Sequence, residues 1–169
     1  TGDIAEGREH FDQAITLYDP TEHRPLATRF GQDIRVAILS YRSLALWVLG
    51  YAEAALADMD QAISDAREIG QAATLMYALG HAPLTLLWRG DYVVAATAIE
   101  EVIALSDEKG ALIWKLYGKL NQGWLFVLTG RAADAVQTIS AGITAWRSTG
   151  STLWMPVYLS YSARAYAEL

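Results

Sequence analysis

The chain of 169 residues carries a formal net charge of −6 and no cysteine, which argues against a nucleic-acid backbone as its main partner and excludes disulfides and thiolate metal sites. Hydrophobic residues make up 53% of it and charged residues only 19%. The sequence nevertheless contains no run of about eighteen apolar residues, the length that a membrane span requires. We therefore expect a cytoplasmic protein that binds neither nucleic acid nor membrane.

The first residues repeat a later part of the chain. Asp12-Gln13-Ala14-Ile15 recurs as Asp60-Gln61-Ala62-Ile63, at an offset of forty-eight. Because the later copy lies in an apolar pattern with helical spacing, we predict a helix up to about Tyr18. This helix is the second member of a pair whose first member is not in the sequence.

An irregular stretch follows between Tyr18 and Gln32. Two prolines break the helical pattern there, and Gly31-Gln32-Asp33 restarts it. We predict a longer loop that contains a short helical turn. Its polar residues are read as pinning the loop to the first helices through hydrogen bonds and ion pairs, with contact to a neighbouring domain as the alternative; they are Asp19, His23, Arg24 and Asp33.

Glycines then recur at two interleaved intervals of forty residues. One series is Gly50, Gly90 and Gly130, and the other is Gly70, Gly110 and Gly150. Each follows a run of helix-forming apolar residues, where glycine adopts the left-handed cap conformation at little cost. The first series therefore predicts the turns inside helix pairs, near residues 50, 90 and 130, and the second series predicts the end of each pair.

Alignment by forty also places small and apolar residues in shared columns. The columns are Ala55, Ala95 and Ala135, then Met59, Ile99 and Ile139, then Ile63, Ile103 and Ile143. Spacings of four give each second helix one apolar stripe for packing. A final first helix is predicted over residues 152–169, and its apolar face has no following helix to cover it.

The turn sequence resembles that of tetratricopeptide repeats. A forty-residue period fits either HEAT-like or long tetratricopeptide arrays, but Arg89-Gly90-Asp91-Tyr92 followed by Ala95 resembles the tetratricopeptide turn. Glycine stands where that family has a proline at the end of each unit. The resemblance implies an all-α, right-handed solenoid of tetratricopeptide-like hairpins. We expect about seven helices (a lone second helix, three pairs and a final first helix) in one domain over residues 1–169.

A narrower resemblance covers about the first sixty residues. Tyr18-Asp19-Pro20, Phe30-Gly31-Gln32-Asp33 and Leu39-Ser40-Tyr41 resemble the repeat region of large bacterial class III adenylate or guanylate cyclases, in which a predicted ATPase domain follows the cyclase domain. The resemblance implies that this chain is one segment of a longer signalling polypeptide. Any cyclase chemistry would then belong to other domains.

Residues with catalytic potential form no recognisable motif. His10, His23 and His81 lack metal-ligand spacing, and Asp58 and Asp60 fall on different faces of a helix, where we read them as solvated surface. Phosphate-binding loops and nucleophile elbows are absent from the sequence. We predict that this segment is not an enzyme and uses no cofactor and no metal.

The predicted partner is another protein: a peptide, a neighbouring domain or a second copy. In tetratricopeptide arrays the first helices line a concave groove, and the resemblance places the following residues in it: Tyr41, Tyr77, His81, Tyr117, Asn121, Trp124 and Tyr161. Apolar residues of the uncovered last helix predict self-association as a homodimer: Leu153, Trp154, Val157, Tyr161 and Tyr166.

We therefore expect a non-catalytic protein–protein interaction or self-assembly module of a multidomain bacterial signalling protein that is linked to a cyclase. The alternative is an effector-sensing helical repeat domain of an ATPase-linked transcription regulator. That alternative requires a closed pocket with convergent polar groups, whereas an open apolar groove favours a protein partner.

Overall fold

The computed structural model describes residues 2–169, which form helices and no strand. The predicted all-helical class is therefore confirmed. The chain divides into two compact units, one ending at Thr85 and the other covering Leu86–Leu169. Within the described part, no helix combines the length and the apolar character that crossing a bilayer requires. The assignment of residues 1–169 to one repeat domain stays a prediction.

The predicted count of about seven helices is too low. The described residues contain eight helices of 13 to 18 residues, which is the total of one lone helix, three pairs and a final helix. These are α1 Ile4–Leu17, α4 Ile34–Val48, α5 Ala52–Ile69, α6 Ala72–Arg89, α7 Tyr92–Lys109, α8 Leu112–Leu128, α9 Ala132–Ser148 and α10 Met155–Ala167. Two short helices, α2 Pro20–His23 and α3 Ala27–Phe30, flank a 3₁₀ turn at Arg24–Leu26.

The periodic glycines adopt the predicted left-handed conformation. Gly50, Gly90 and Gly130 have φ values of 88°, 93° and 74°, and the glycines of the second series also have positive φ. A Cβ atom at the three turn positions would meet no other atom within 4 Å. Glycine is therefore required there by backbone conformation and not by space.

The first unit is built around the packing of α4 on α5 and α6. Val36 and Leu39 of α4 share a buried cluster with Ala62 and Ala66 of α5 and Ala78 of α6. Short turns join α4 to α5 and α5 to α6, so that consecutive helices run antiparallel. The helix α1 packs against α4 but has no fully buried residue.

The loop between α1 and α4 is pinned as predicted. The Asp19 carboxylate caps α2 by accepting a hydrogen bond from Thr21 N at 2.8 Å, and Arg24 pairs with Glu68 of α5 at 2.9 Å. Asp33 is the N-cap of α4, since its carboxylate accepts from Val36 N at 3.1 Å. The carboxylates of Asp19 and Asp33 satisfy backbone donors at helix starts that would otherwise have no partner.

Asp58 corrects one prediction, because it is buried and not a solvated surface residue. It is 8% exposed, and its two oxygens accept hydrogen bonds from Arg42 Nε at 2.6 Å and Nη2 at 2.8 Å. Arg42 also donates through Nη1 to Asp12 of α1 at 2.8 Å. The guanidinium of Arg42 thus links α1, α4 and α5. Its two parallel hydrogen bonds to Asp58 are the geometry in which arginine and a carboxylate bind each other well.

The second unit packs α8 against both α7 and α9, and α10 against α8 and α9. Its core contains aromatic side chains together with Leu120 and Ile139. A Cβ at Gly123 would lie 2.5 Å from Cγ1 of Ile139. The absence of a side chain at Gly123 therefore allows α8 and α9 to approach closely.

Candidate interaction surfaces

In the first unit, three of the predicted groove residues form an aromatic cluster. The ring of His81 stacks on Tyr77 at a centroid distance of 4.5 Å and meets Tyr41 edge-on at 5.1 Å. His81 is buried, with Nδ1 2.8 Å from the carbonyl oxygen of Tyr77. Burial lowers the pKa of His81 to about 4, so the imidazole is neutral at pH 7. Burial also raises the pKa of Tyr77, and the neighbouring Tyr41 adds to this rise.

In the second unit, three of the remaining predicted groove residues are part of the core. Tyr117, Asn121 and Trp124 are buried, and the hydroxyl of Tyr158 donates to Asn121 Oδ1 at 2.9 Å in a buried hydrogen bond. Tyr161 is half-buried, with its ring 4.5 Å from that of Trp124.

The predicted accessible groove is therefore wrong for four of its seven residues. His81, Tyr117, Asn121 and Trp124 are at most 5% exposed, so they cannot contact a partner in this conformation. They fill the space between helices, where large rings bury much apolar surface. Tyr41, Tyr77 and Tyr161 are half-buried.

The first unit instead presents an exposed apolar surface, which we call the N-terminal patch. It consists of Leu17, Leu26, Phe30 and Ile34, which are 77%, 38%, 62% and 50% exposed. Two depressions of about 370 Å³ and 260 Å³ lie in it and share His23 and Ile34 as lining residues. Single exposed apolar residues are ordinary, but a contiguous group around a depression marks an interaction surface.

Polar contacts hold the edge of this patch in place. Tyr18 lines the smaller depression, stacks on His23 with centroids 5.5 Å apart and donates its hydroxyl to Asp33 at 2.7 Å. Burial, then the hydrogen bond to Asp33 and its charge, raise the pKa of Tyr18 to about 12. The phenol therefore stays neutral and keeps donating at physiological pH. Ala14 and Ile38 complete the floor of the smaller depression.

The second unit presents another apolar surface on α10, which we call the α10 outer face. It consists of Pro156, Leu159, Ala163 and Tyr166, all exposed and spaced to lie on one side of a helix. The adjacent side of α10 is buried through Met155, Tyr158 and Ala165.

The residues predicted for self-association are split between these environments. Leu153 and Tyr166 are 53% and 59% exposed, whereas Trp154, Val157 and Tyr161 are half-buried. Sequence reasoning missed Leu159 of the outer face and the whole N-terminal patch. The repeat alignment could have identified both, since it relates them to positions that pack between helices in the first unit.

Polar side chains line one further depression, of about 390 Å³ between α8 and α9; they are Lys119, Gln122, Gln137 and Thr138. A small space between α4, α5 and α6 is lined by Ser40, Ser43 and His81, but it is too small to hold a water molecule. Within residues 2–169, no group of three or more His, Cys, Asp or Glu side chains is arranged to hold a metal ion.

Comparison with known proteins identifies no family for this chain. No protein-family model matches it, and no curated protein matches it.

Proposed function

We propose that this chain is a non-catalytic protein–protein interaction or self-assembly module that acts through the N-terminal patch and the α10 outer face. One observation carries the proposal: each unit exposes apolar side chains on a helical framework, with four large ones in the N-terminal patch and two, Leu159 and Tyr166, in the α10 outer face. Such surfaces cost free energy in water and are typical of protein interfaces. Neither group contains a charged residue, which is the usual composition of an interface centre.

We further propose that the helices form a right-handed solenoid of tetratricopeptide-like hairpins. Supporting this are the forty-residue recurrence of glycines with positive φ and the short turns between long helices. The resemblance of the first sixty residues to the repeat region of bacterial class III cyclases supports a place in a multidomain signalling protein. In that setting the module would bind a neighbouring domain, a peptide or a second copy.

Effector sensing has less support. A small-molecule site needs a cavity with convergent polar groups, whereas Ser40, Ser43 and His81 surround a space too small for water. The polar depression between α8 and α9 is open at the surface. The depressions of the N-terminal patch are lined mainly by apolar side chains such as Leu26 and Phe30. Their chemistry fits an apolar protein surface better than a polar effector.

Photo-cross-linking tests the proposed function directly. A benzophenone amino acid would replace Leu17 in the N-terminal patch or Leu159 in the α10 outer face, in the protein expressed in its native host. Since both positions are exposed, 77% and 43% respectively, the substitution leaves the core intact. We expect irradiation to give discrete protein adducts from both positions, which mass spectrometry would identify.

Val93 of α7 provides the matched control, because it is apolar and 82% exposed but lies in neither surface. It should give no discrete adduct. If Leu17 and Leu159 also gave none, or gave the same diffuse products as Val93, the proposed function would be wrong.

A further inference from the structure

The first unit shows how one repeat packs on the next. Val36 and Leu39 on α4 cover Ala62, Ala66 and Ala78 on the following two helices. The three alanines are at most 2% exposed. We call this packing the inner joint.

In the inner joint, Val36 and Leu39 form the covering side, and the three alanines of α5 and α6 form the covered side. The repeat places a second copy of the covered side at the N-terminal patch. The offset of forty-eight relates Ala62 and Ala66 to Ala14 and Tyr18, and the offset of forty relates Ala78 to Ile38. All three equivalents line the open depression of about 260 Å³. The first unit therefore carries this side of the joint twice: one is covered by α4, and the other is open.

The same offset places the covering side of the joint on α10. Three periods of forty relate Val36 to Pro156 and Leu39 to Leu159. Both residues belong to the α10 outer face and are exposed. The second unit therefore presents the covering side of the joint with nothing beneath it.

The second unit repeats the joint in part, since the equivalent of Leu39 there is Lys119. Leu116 of α8, the equivalent of Val36, packs in the cluster that contains Trp146 and Tyr158. Those two residues are the equivalents of Ala66 and Ala78.

The two open sides differ from the inner joint in a matched way. In the inner joint, Asp33 N donates to Thr74 Oγ1 at 3.0 Å. The equivalents on the open sides are Leu153 and Ile34, which are 53% and 50% exposed. In the inner joint a hydrogen bond joins two polar residues, whereas the equivalent residues on the two open sides are both apolar.

Leu17 extends this difference. It stands in the position of Asp65, which is 8% exposed and pairs with Arg35 at 3.2 Å, whereas Leu17 is 77% exposed. The residue at this exposed position is thus more apolar than its buried counterpart. An apolar partner surface explains that substitution.

We propose that the α10 outer face of one copy binds the N-terminal patch of a second copy, so that the inner joint is re-created between molecules. The partner is therefore this chain itself, and the contact is heterologous, because it joins two different surfaces. The inference rests on the proposed function and narrows it to head-to-tail self-association. Each contact leaves one patch and one outer face free for further copies.

Mixing of single-site variants tests this arrangement. Ile34→Glu places a charge in the N-terminal patch, at a first-turn position where an acidic residue suits the helix dipole, and Leu159→Glu places one in the α10 outer face. Sedimentation velocity should show association of the unmodified protein that rises with concentration. Each variant alone should associate at least tenfold more weakly. An equimolar mixture should form a dimer of twice the 18.5 kDa monomer mass, because each variant retains the surface that the other lacks.

The control is Val93→Glu, which also adds an acid to the first turn of a helix at an exposed apolar position and should associate like the unmodified protein. Circular dichroism would verify that all variants are folded. If either single variant still dimerised fully, one surface would bind its own copy and the head-to-tail proposal would be wrong. A monomeric unmodified protein would also overturn it, while discrete cross-links from Leu17 and Leu159 to another protein would leave the proposed function standing.

Discussion

The two units bury different chemistry in the same kind of helical repeat. Among residues 2–169, ten polar or charged residues are buried, and eight of them lie in the first unit: Asp33, Ser40, Ser43, Asp58, Asp65, Thr74, His81 and Thr85. The four buried tyrosine and tryptophan residues of this described part lie in the second unit: Tyr117, Trp124, Trp146 and Tyr158. Small alanines leave room for paired polar groups around the first core, whereas rings fill the second.

This difference shows which features the repeat requires. The turn glycines have positive φ in both units, so the backbone geometry recurs. Ala66 and Ala78 are replaced by Trp146 and Tyr158 in equivalent positions, so the type of side chain in the core differs between the units. The first unit should therefore respond to loss of charge pairing and to pH, and the second to loss of ring volume.

The largest expected effect is in the second unit. Tyr158→Ala should lower the free energy of unfolding by about 3–5 kcal/mol, because it removes a ring that is 0% exposed and leaves a cavity. Tyr158→Phe should cost about 1–3 kcal/mol, since Asn121 Oδ1 loses its buried donor. Urea unfolding would measure both. Tyr166→Ala, at 59% exposure, should change stability by less than about 0.5 kcal/mol; equal losses at positions 158 and 166 would contradict this packing.

A somewhat smaller effect is expected in the first unit. Arg42→Met should cost about 3 kcal/mol, because the side chain of Asp58 is only 10% exposed and would lose its main counter-charge. Asp58→Asn in the Arg42→Met background should recover part of that loss. A double-mutant cycle by urea unfolding would give the coupling between the two residues. Additive effects of the two substitutions would show that the pair does not stabilise the unit.

The pH dependence should arise mainly in the first unit. His81 has a pKa of about 4 in the folded state against about 6.5 when unfolded, so the unfolded chain binds a proton first as pH falls. Its contribution is therefore intact above pH 6.5 and is lost as pH falls towards 4. Between pH 7.5 and pH 5 this should remove about 2 kcal/mol. His81→Gln should lack that component in urea unfolding at the two pH values, and an equal pH dependence in both proteins would refute the assignment.

Sequence patterns predicted the helices well because backbone constraints are local. Glycine at Gly50, Gly90 and Gly130 satisfies a requirement of a single residue, and the Asp33 cap follows from residues adjacent in sequence. These features can be read without knowing the packing. The extent of α6 could not be predicted from the sequence, because the helix continues through Pro83 and proline ordinarily ends or kinks a helix.

The interaction surfaces were harder to predict because burial depends on neighbours distant in sequence. Trp124 and Tyr161 occupy first-helix positions of similar character, yet one is buried and the other is half-buried. Asp58 reads as a surface residue until Arg42 is found beside it. Leu159 has the same helical spacing as the core residues of α10, and only the packed structure separates the two faces.

Disulfide trapping tests the central claim, which is that the α10 outer face of one copy packs on the N-terminal patch of another. The chain contains no cysteine, so Ile34→Cys and Leu153→Cys each introduce a single thiol at an exposed position. Under mild oxidation, a mixture of the two variants should yield mainly the mixed disulfide dimer, resolved by mass spectrometry, and far less of either homodimer. Statistical amounts of the three dimers, or a dominant homodimer of either variant, would contradict the account.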